Sequence, residues 1–179
     1  GIIIDIFILS GTYYIGKLIW NKFGYKNNTV VALGVGMIIT SQVMYIFTLN
    51  SYTFLMVYPV TVTLIIFGVI LIYVNTCNVL TSKPKWNIVD PKNDPIYFFV
   101  VILLMMYILV SIAPPTNADA LDYHWGIPVY LLLNHEWPPL FLWKHGSLGG
   151  IGEVFNMLGV ALHAENLGMI LQPLGLVAF

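Results

Sequence analysis

Four long apolar runs dominate the 179-residue chain, at about residues 2–20, 29–49, 53–78 and 96–113. Each is built largely from Ile, Val, Leu, Phe, Met and Tyr and carries few charges. A helix needs roughly 20 such residues to cross a bilayer. In hydrocarbon the backbone must satisfy its own hydrogen bonds, so these β-branched runs are expected to be helices despite their strand-like composition. Charged residues make up 8% of the chain and hydrophobic residues 59%, against roughly 25% charged in a soluble domain. A chain with so few charges cannot cover itself with a polar surface and has to be solvated by lipid. A fifth run at about 166–179 is too short to cross and reads as truncated. The expected fold class is all-α: polytopic integral membrane helices, about four complete spans plus a truncated fifth, with two amphipathic surface helices in an extracytoplasmic loop.

The formal net charge of −1 argues against a nucleic-acid partner, because no basic face exists to neutralise phosphates. All seven cations are lysines, a composition bias to which no mechanism attaches. The single cysteine, Cys77, excludes an internal disulfide framework and any cysteine-based metal site. The chain opens on Gly1 and stops at Phe179 inside an apolar run, so both ends read as cuts through a longer protein.

Lysine placement supplies an orientation. Lys17, Lys22 and Lys26 mark the first connection, and Lys83, Lys85 and Lys92 mark the third. The second, around Asn50-Ser51-Tyr52, has no cation, and the long loop after the fourth run has Lys144 alone against Asp119, Asp122 and Glu136. Lysine-rich loops stay in the cytoplasm. Six of the seven lysines therefore agree with one topology, which puts residues 114–150 on the extracytoplasmic side.

That loop is where the chemistry concentrates. Pro114 and Pro115 end the fourth run, as expected where a helix must stop. Thr116 or Asn117 can then cap a new helix. On such a helix Asp119 and Asp122, three apart, share a face, while Leu121, Trp125 and Leu132 recur on another. Pro128 cannot donate to the carbonyl of His124, so a kink or break is expected near Gly126. The result is a short amphipathic helix at about 117–126 lying on the membrane surface, its two carboxylates in the headgroup layer. A second such helix follows at about 149–162, with Ile151, Phe155, Leu158 and Leu162 on its apolar face and Glu153 and Asn156 on its polar one. The connector between them carries Asn134-His135-Glu136-Trp137-Pro138-Pro139 and Trp143-Lys144-His145-Gly146-Ser147, whose aromatic rings suit the interface.

Two readings of Asp119 stand. It lies three residues after Thr116, so it can complete a capping box and be favoured by the helix dipole. A capped, dipole-stabilised carboxylate also stays ionised, as a base or metal ligand must. Asp122 reads as a solvated neighbour. His124, His135, His145 and His163 are irregularly spaced and read as interfacial histidines rather than metal ligands. Asp5 falls inside the first apolar run, where carboxylates are functional candidates, but its place so close to Gly1 gives it little weight. Glu153 and Glu165 read as polar-face residues flanking the second surface helix.

The stretch Asp119-Ala120-Leu121-Asp122-Tyr123-His124-Trp125-Gly126-Ile127-Pro128 resembles the GT-C class of membrane glycosyltransferases. Bacterial members often carry an Asp, a short hydrophobic step, then Tyr-His and Pro just after a spanning helix. Gly152-Glu153-Val154-Phe155-Asn156-Met157-Leu158-Gly159 looks like the second surface helix of that class. The resemblance covers about residues 96–179, with 1–95 as a preceding unit of about three spans. It implies a sugar donor on a polyprenyl phosphate, reached from the outer leaflet of a bacterial cytoplasmic membrane. It implies Asp119 as general base on the acceptor or as ligand of a divalent metal, with Asp122 beside it. It implies His124 as a contact to the donor phosphate and Tyr123 as a further substrate-binding residue. Three spans precede the matching one, whereas the simplest members begin with it, and the large C-terminal part of the class has no counterpart here.

Two other classes fit the same features. A non-enzymatic subunit of a larger membrane complex would use the aromatic, proline-rich loop to pack against other membrane subunits. A transporter would place polar groups or broken helices at mid-membrane. The spans offer only small residues there, such as Gly34, Gly36, Thr40, Ser41 and Gly68, and the Gly34-x-Gly36 step suits close helix packing.

Overall fold

A computed structural model of the chain describes residues 1–24, 28–49, 53–82, 95–113, 116, 118, 120–139 and 150–171. All its elements are helical: α1 (Ile2–Lys22), α2 (Thr29–Leu49), α3 (Thr53–Ser82), α4 (Pro95–Ile112), a π-helical segment (Ala120–Trp125), α5 (Gly126–Asn134) and α6 (Ile151–Val160). Three segments are long and apolar enough to cross a membrane: Ile2–Lys22, Thr29–Leu49 and Leu55–Asn78. They follow the first three apolar runs closely, because backbone self-satisfaction and side-chain hydropathy are local properties. The fourth run forms the 18-residue α4, which at 1.5 Å per residue reaches about 27 Å, just under the roughly 30 Å hydrocarbon core. Of the fifth run, the described part is a helical turn at 167–171; the rest lies outside the described residues. So do Asn50-Ser51-Tyr52, Lys26, Lys83, Lys85, Lys92, Pro114, Pro115, Asn117, Asp119 and the Trp143-to-Ser147 stretch.

α1 is the centre of the bundle, packed between α2 and α3. Small residues make that possible. A Cβ added at Gly16 would strike the backbone carbonyl of Ala32, and one at Gly36 would strike that of Thr12. On the other side Gly11 meets the Leu64 carbonyl and Gly68 that of Phe7. Lipid offers no hydrophobic force between spans, so this close backbone approach supplies the packing energy. Gly34 is not part of it: a Cβ there meets nothing within 4 Å. The expected Gly34-x-Gly36 step is therefore corrected to Gly36 alone, opposed by Thr12 and Gly16 of α1. Two buried hydroxyls are satisfied within their own helices, Thr12 Oγ1 donating to Ile8 O at 2.8 Å and Thr61 Oγ1 to Val57 O at 2.8 Å, whereas the buried Thr40 Oγ1 has no partner among the described residues.

α6 docks on this bundle, touching α1, α2 and α3 as well as α5. Val154, Phe155, Met157 and Leu158 are fully buried with Ile8, Met44, Val57 and Leu64 in one apolar core. Thr61 Oγ1 also reaches the Leu158 carbonyl at 3.4 Å, and the rings of Tyr45 and Trp137 meet edge-on at 5.9 Å. The docking end is thus marked by the last turns of α2 and the first turns of α3. The described residues of α5 and α6, the end of α2 and the start of α3 share one end of the molecule. α4 differs from the other long helices, because Ser111 is the sole buried side chain among its described residues.

Asp5 sits on the inward face of α1 at 0% exposure. Neither carboxylate oxygen has a hydrogen-bond partner among the described residues. A position given little weight in the sequence is one of the most confined polar groups in the structure. Replacing it by an apolar side chain of the same branched shape, Asp5→Leu, is expected to stabilise the protein by about 1–3 kcal/mol, the usual penalty of an unsatisfied buried group. A thermal midpoint in nanodiscs that falls instead would mean that the carboxylate has a stabilising partner.

Candidate functional site

Proline chemistry builds the site. In an uninterrupted α-helix Pro128 would stand four residues after His124 with no N–H to offer its carbonyl. The chain does not break there. It winds as a π-helix over Ala120–Trp125, and α5 begins at Gly126 with Trp125 as its N-cap, which places Pro128 in the first turn, where helical N–H groups have no partner to lose. The carbonyl of His124 accepts from Asn156 Nδ2 of α6 at 3.4 Å. The expected kink near Gly126 is therefore a change of winding: within the expected helix at 117–126, Ala120–Trp125 wind as a π-helix that leads into α5. Single π-turns inside helices recur at functional sites.

α6 supplies the rest. Glu153 is its third helical residue, and its Oε2 accepts the backbone N–H of Gly150 at 2.7 Å, the acidic half of a capping box. Its Oε1 lies 2.7 Å from His124 Nδ1. Glu153 is thus not a solvated polar-face residue as expected. Its side chain is 10% exposed, whereas that of His124 is 48% exposed. Helical periodicity put Glu153 opposite Phe155, but the π-helical segment covers that flank of α6 and removes it from water.

Two further bonds brace the same end. Trp125 Nε1 donates to the Glu165 carbonyl at 3.0 Å, and Asn166 Nδ2 to the carbonyl of Ile112 at 2.7 Å, tying the last turn of α4 to the turn after α6. That turn closes through Ala164 N–H on the Gly159 carbonyl at 2.9 Å. His163 sits there with φ 56°, and His135 ends α5 with φ 62°. Histidine is one of the few non-glycine residues enriched in this left-handed region, so these two serve as helix terminators.

The named candidates are distributed as follows. His124 is at the surface, paired with Glu153. Asp122 is half-buried in the π-helical segment. Tyr123 belongs to the same segment, its side chain outside the described residues, and Asp119 lies outside them altogether. Glu153 and Asn156 were missed as site residues. Among the described residues no three His, Cys, Asp or Glu side chains converge as a metal-ligand set, and both oxygens of Glu153 are already engaged. The described residues do not fit a divalent metal.

The profile of the DUF1420 N-terminal domain matches residues 72–179, more than half of the chain. The chain belongs to the DUF1420 family. The matched range opens within α3 and takes in α4, the π-helical segment, α5 and α6. Every residue of the His124–Glu153 arrangement is thus inside the DUF1420 domain, while α1, α2 and most of α3 precede it. No curated protein and no solved structure matches the chain.

Proposed function

We propose that this DUF1420 protein is a membrane glycosyltransferase-like enzyme of the GT-C kind. It moves a sugar from a polyprenyl-phosphate donor to an acceptor at the extracytoplasmic face of a bacterial inner membrane. The observation that carries the reading is a half-exposed His124, held by a buried Glu153, twelve residues beyond the end of the apolar helix α4. A lipid-linked phosphate sits at that depth, and a polar site there meets it without crossing hydrocarbon. The lysine bias supports the sidedness, since the cation-poor connections are those on the outside. In this reading Asp119 acts on the acceptor with Asp122 beside it, His124 contacts the donor phosphate, and Tyr123 is a further substrate-binding residue.

The test is Asp119→Asn in the full-length protein, assayed for sugar transfer from polyprenyl-phosphate donors in membranes. A loss of about 10²–10⁴-fold is expected for removal of an acid–base group; an undiminished rate removes Asp119 from the mechanism.

A second reading is favoured by α4, whose described side chains are exposed nearly all round, from Ile96 at 76% to Val110 at 62%. A helix so open to its surroundings suits a subunit of a larger membrane complex. Stoichiometric co-purification with other membrane chains, and instability alone, is the result that would favour it.

A further inference from the structure

The pairing of His124 with Glu153 has a directional consequence. An ionised carboxylate only accepts hydrogen bonds, so at 2.7 Å from Glu153 Oε1 the imidazole must carry its hydrogen on Nδ1. The lone pair of the neutral ring then belongs to Nε2. Glu153 cannot swing away cheaply, because Oε2 is held by the Gly150 N–H and the side chain is packed at the start of α6. The imidazole side chain is 48% exposed, and the carboxylate side chain behind it 10%. An orienting carboxylate behind an accessible imidazole is an arrangement for taking up a proton, since the imidazolium that forms is stabilised where it stands.

We infer that His124 is the proton acceptor of the transfer reaction and that Glu153 is its positioning residue. This rests on the transferase reading above and changes two of its assignments: His124 takes the acceptor's proton instead of contacting the donor phosphate, and Asp119 orients the acceptor instead of serving as its base. The O–H or N–H bond of the acceptor breaks, and its proton goes to His124 Nε2. The electron pair left on the acceptor forms the new bond to the anomeric carbon of the sugar. The bond from that carbon to the phosphate oxygen breaks, and its pair leaves on the polyprenyl phosphate. The imidazolium returns its proton to water. Asp122 and Glu165 are the other acidic residues on the elements packed around the ring, and Asn156 is the neutral one.

Two measurements on the full-length protein in bilayers test this. In ¹⁵N-histidine solid-state NMR, the resonance lost in His124→Gln is expected to show the Nδ1–H tautomer, and Glu153→Ala is expected to shift it toward Nε2–H. In transfer assays His124→Ala is expected to lower kcat about 10²–10⁴-fold with little change in KM. Added imidazole should restore part of the rate, which a purely structural role would not allow, and should do nothing for Asp119→Asn. A wild-type ring in the Nε2–H tautomer overturns the inference without any variant. Transfer that survives His124→Ala overturns the inference alone. Absence of transfer by the wild-type protein overturns it together with the transferase reading.

Discussion

Gly36→Val should abolish the stable α1–α2 pair, while Gly34→Val, two residues away, should leave the protein almost unchanged. The contrast comes from backbone contact. A side chain at position 36 is driven into the Thr12 carbonyl, and Gly16 faces the Ala32 carbonyl across the same interface. A flexible side chain could move aside, but a carbonyl inside a helix cannot, because its own hydrogen bond holds it. Overpacking a core usually costs about 1–3 kcal/mol and occasionally more; with backbone on both sides this position belongs at the upper end. α1 also holds α3, so separation of α1 from α2 weakens the whole bundle. Position 34 has nothing within 4 Å and accommodates valine without displacement. Thermal aggregation of the two variants in the same detergent reads the difference. Equal stability of both would mean that α1 and α2 do not approach as closely as described.

Phe155→Ala is expected to cost about 3–5 kcal/mol, the range for truncating a buried phenylalanine. Phe155 is 1% exposed and packs in the core that joins α6 to the bundle. The loss should be local in its first effect. α1, α2 and α3 keep their own contacts, so hydrogen exchange should rise in 150–166 before it rises in the spans. Because Glu153 lies on the same helix two residues earlier, freeing α6 also removes the partner of His124. The variant should therefore lose the Nδ1–H signature of that ring even at temperatures where the spans remain folded. Retention of the signature with α6 undocked would mean that the pair forms without α6 packing.

The limits of the spans were legible in the sequence because each depends on a stretch of neighbouring residues. Runs at 29–49 and 53–78 became α2 and α3 almost residue for residue. The response to Pro128 was legible in part: a missing N–H must disturb the helix, but whether it breaks or rewinds depends on what receives the freed carbonyl. Asn156, 32 residues away, receives it. Glu153 was misread for a related reason. Helical periodicity assigns faces relative to one apolar side, and it cannot say that a second element will cover the other. Asp5 was discounted for its place in the chain, whereas its burial arises from the helices packed over it.

The run of apolar residues with which the chain announces itself thus decided that it is helical and built for a membrane. Hydropathy and backbone hydrogen bonding act over one helix at a time and need no knowledge of the rest of the fold. Which glycine carries the packing, which carboxylate is buried, and which histidine is paired were decided only by tertiary structure. Each depends on atoms brought together from distant parts of the chain, as when a 29-residue separation closes to 2.7 Å between His124 and Glu153.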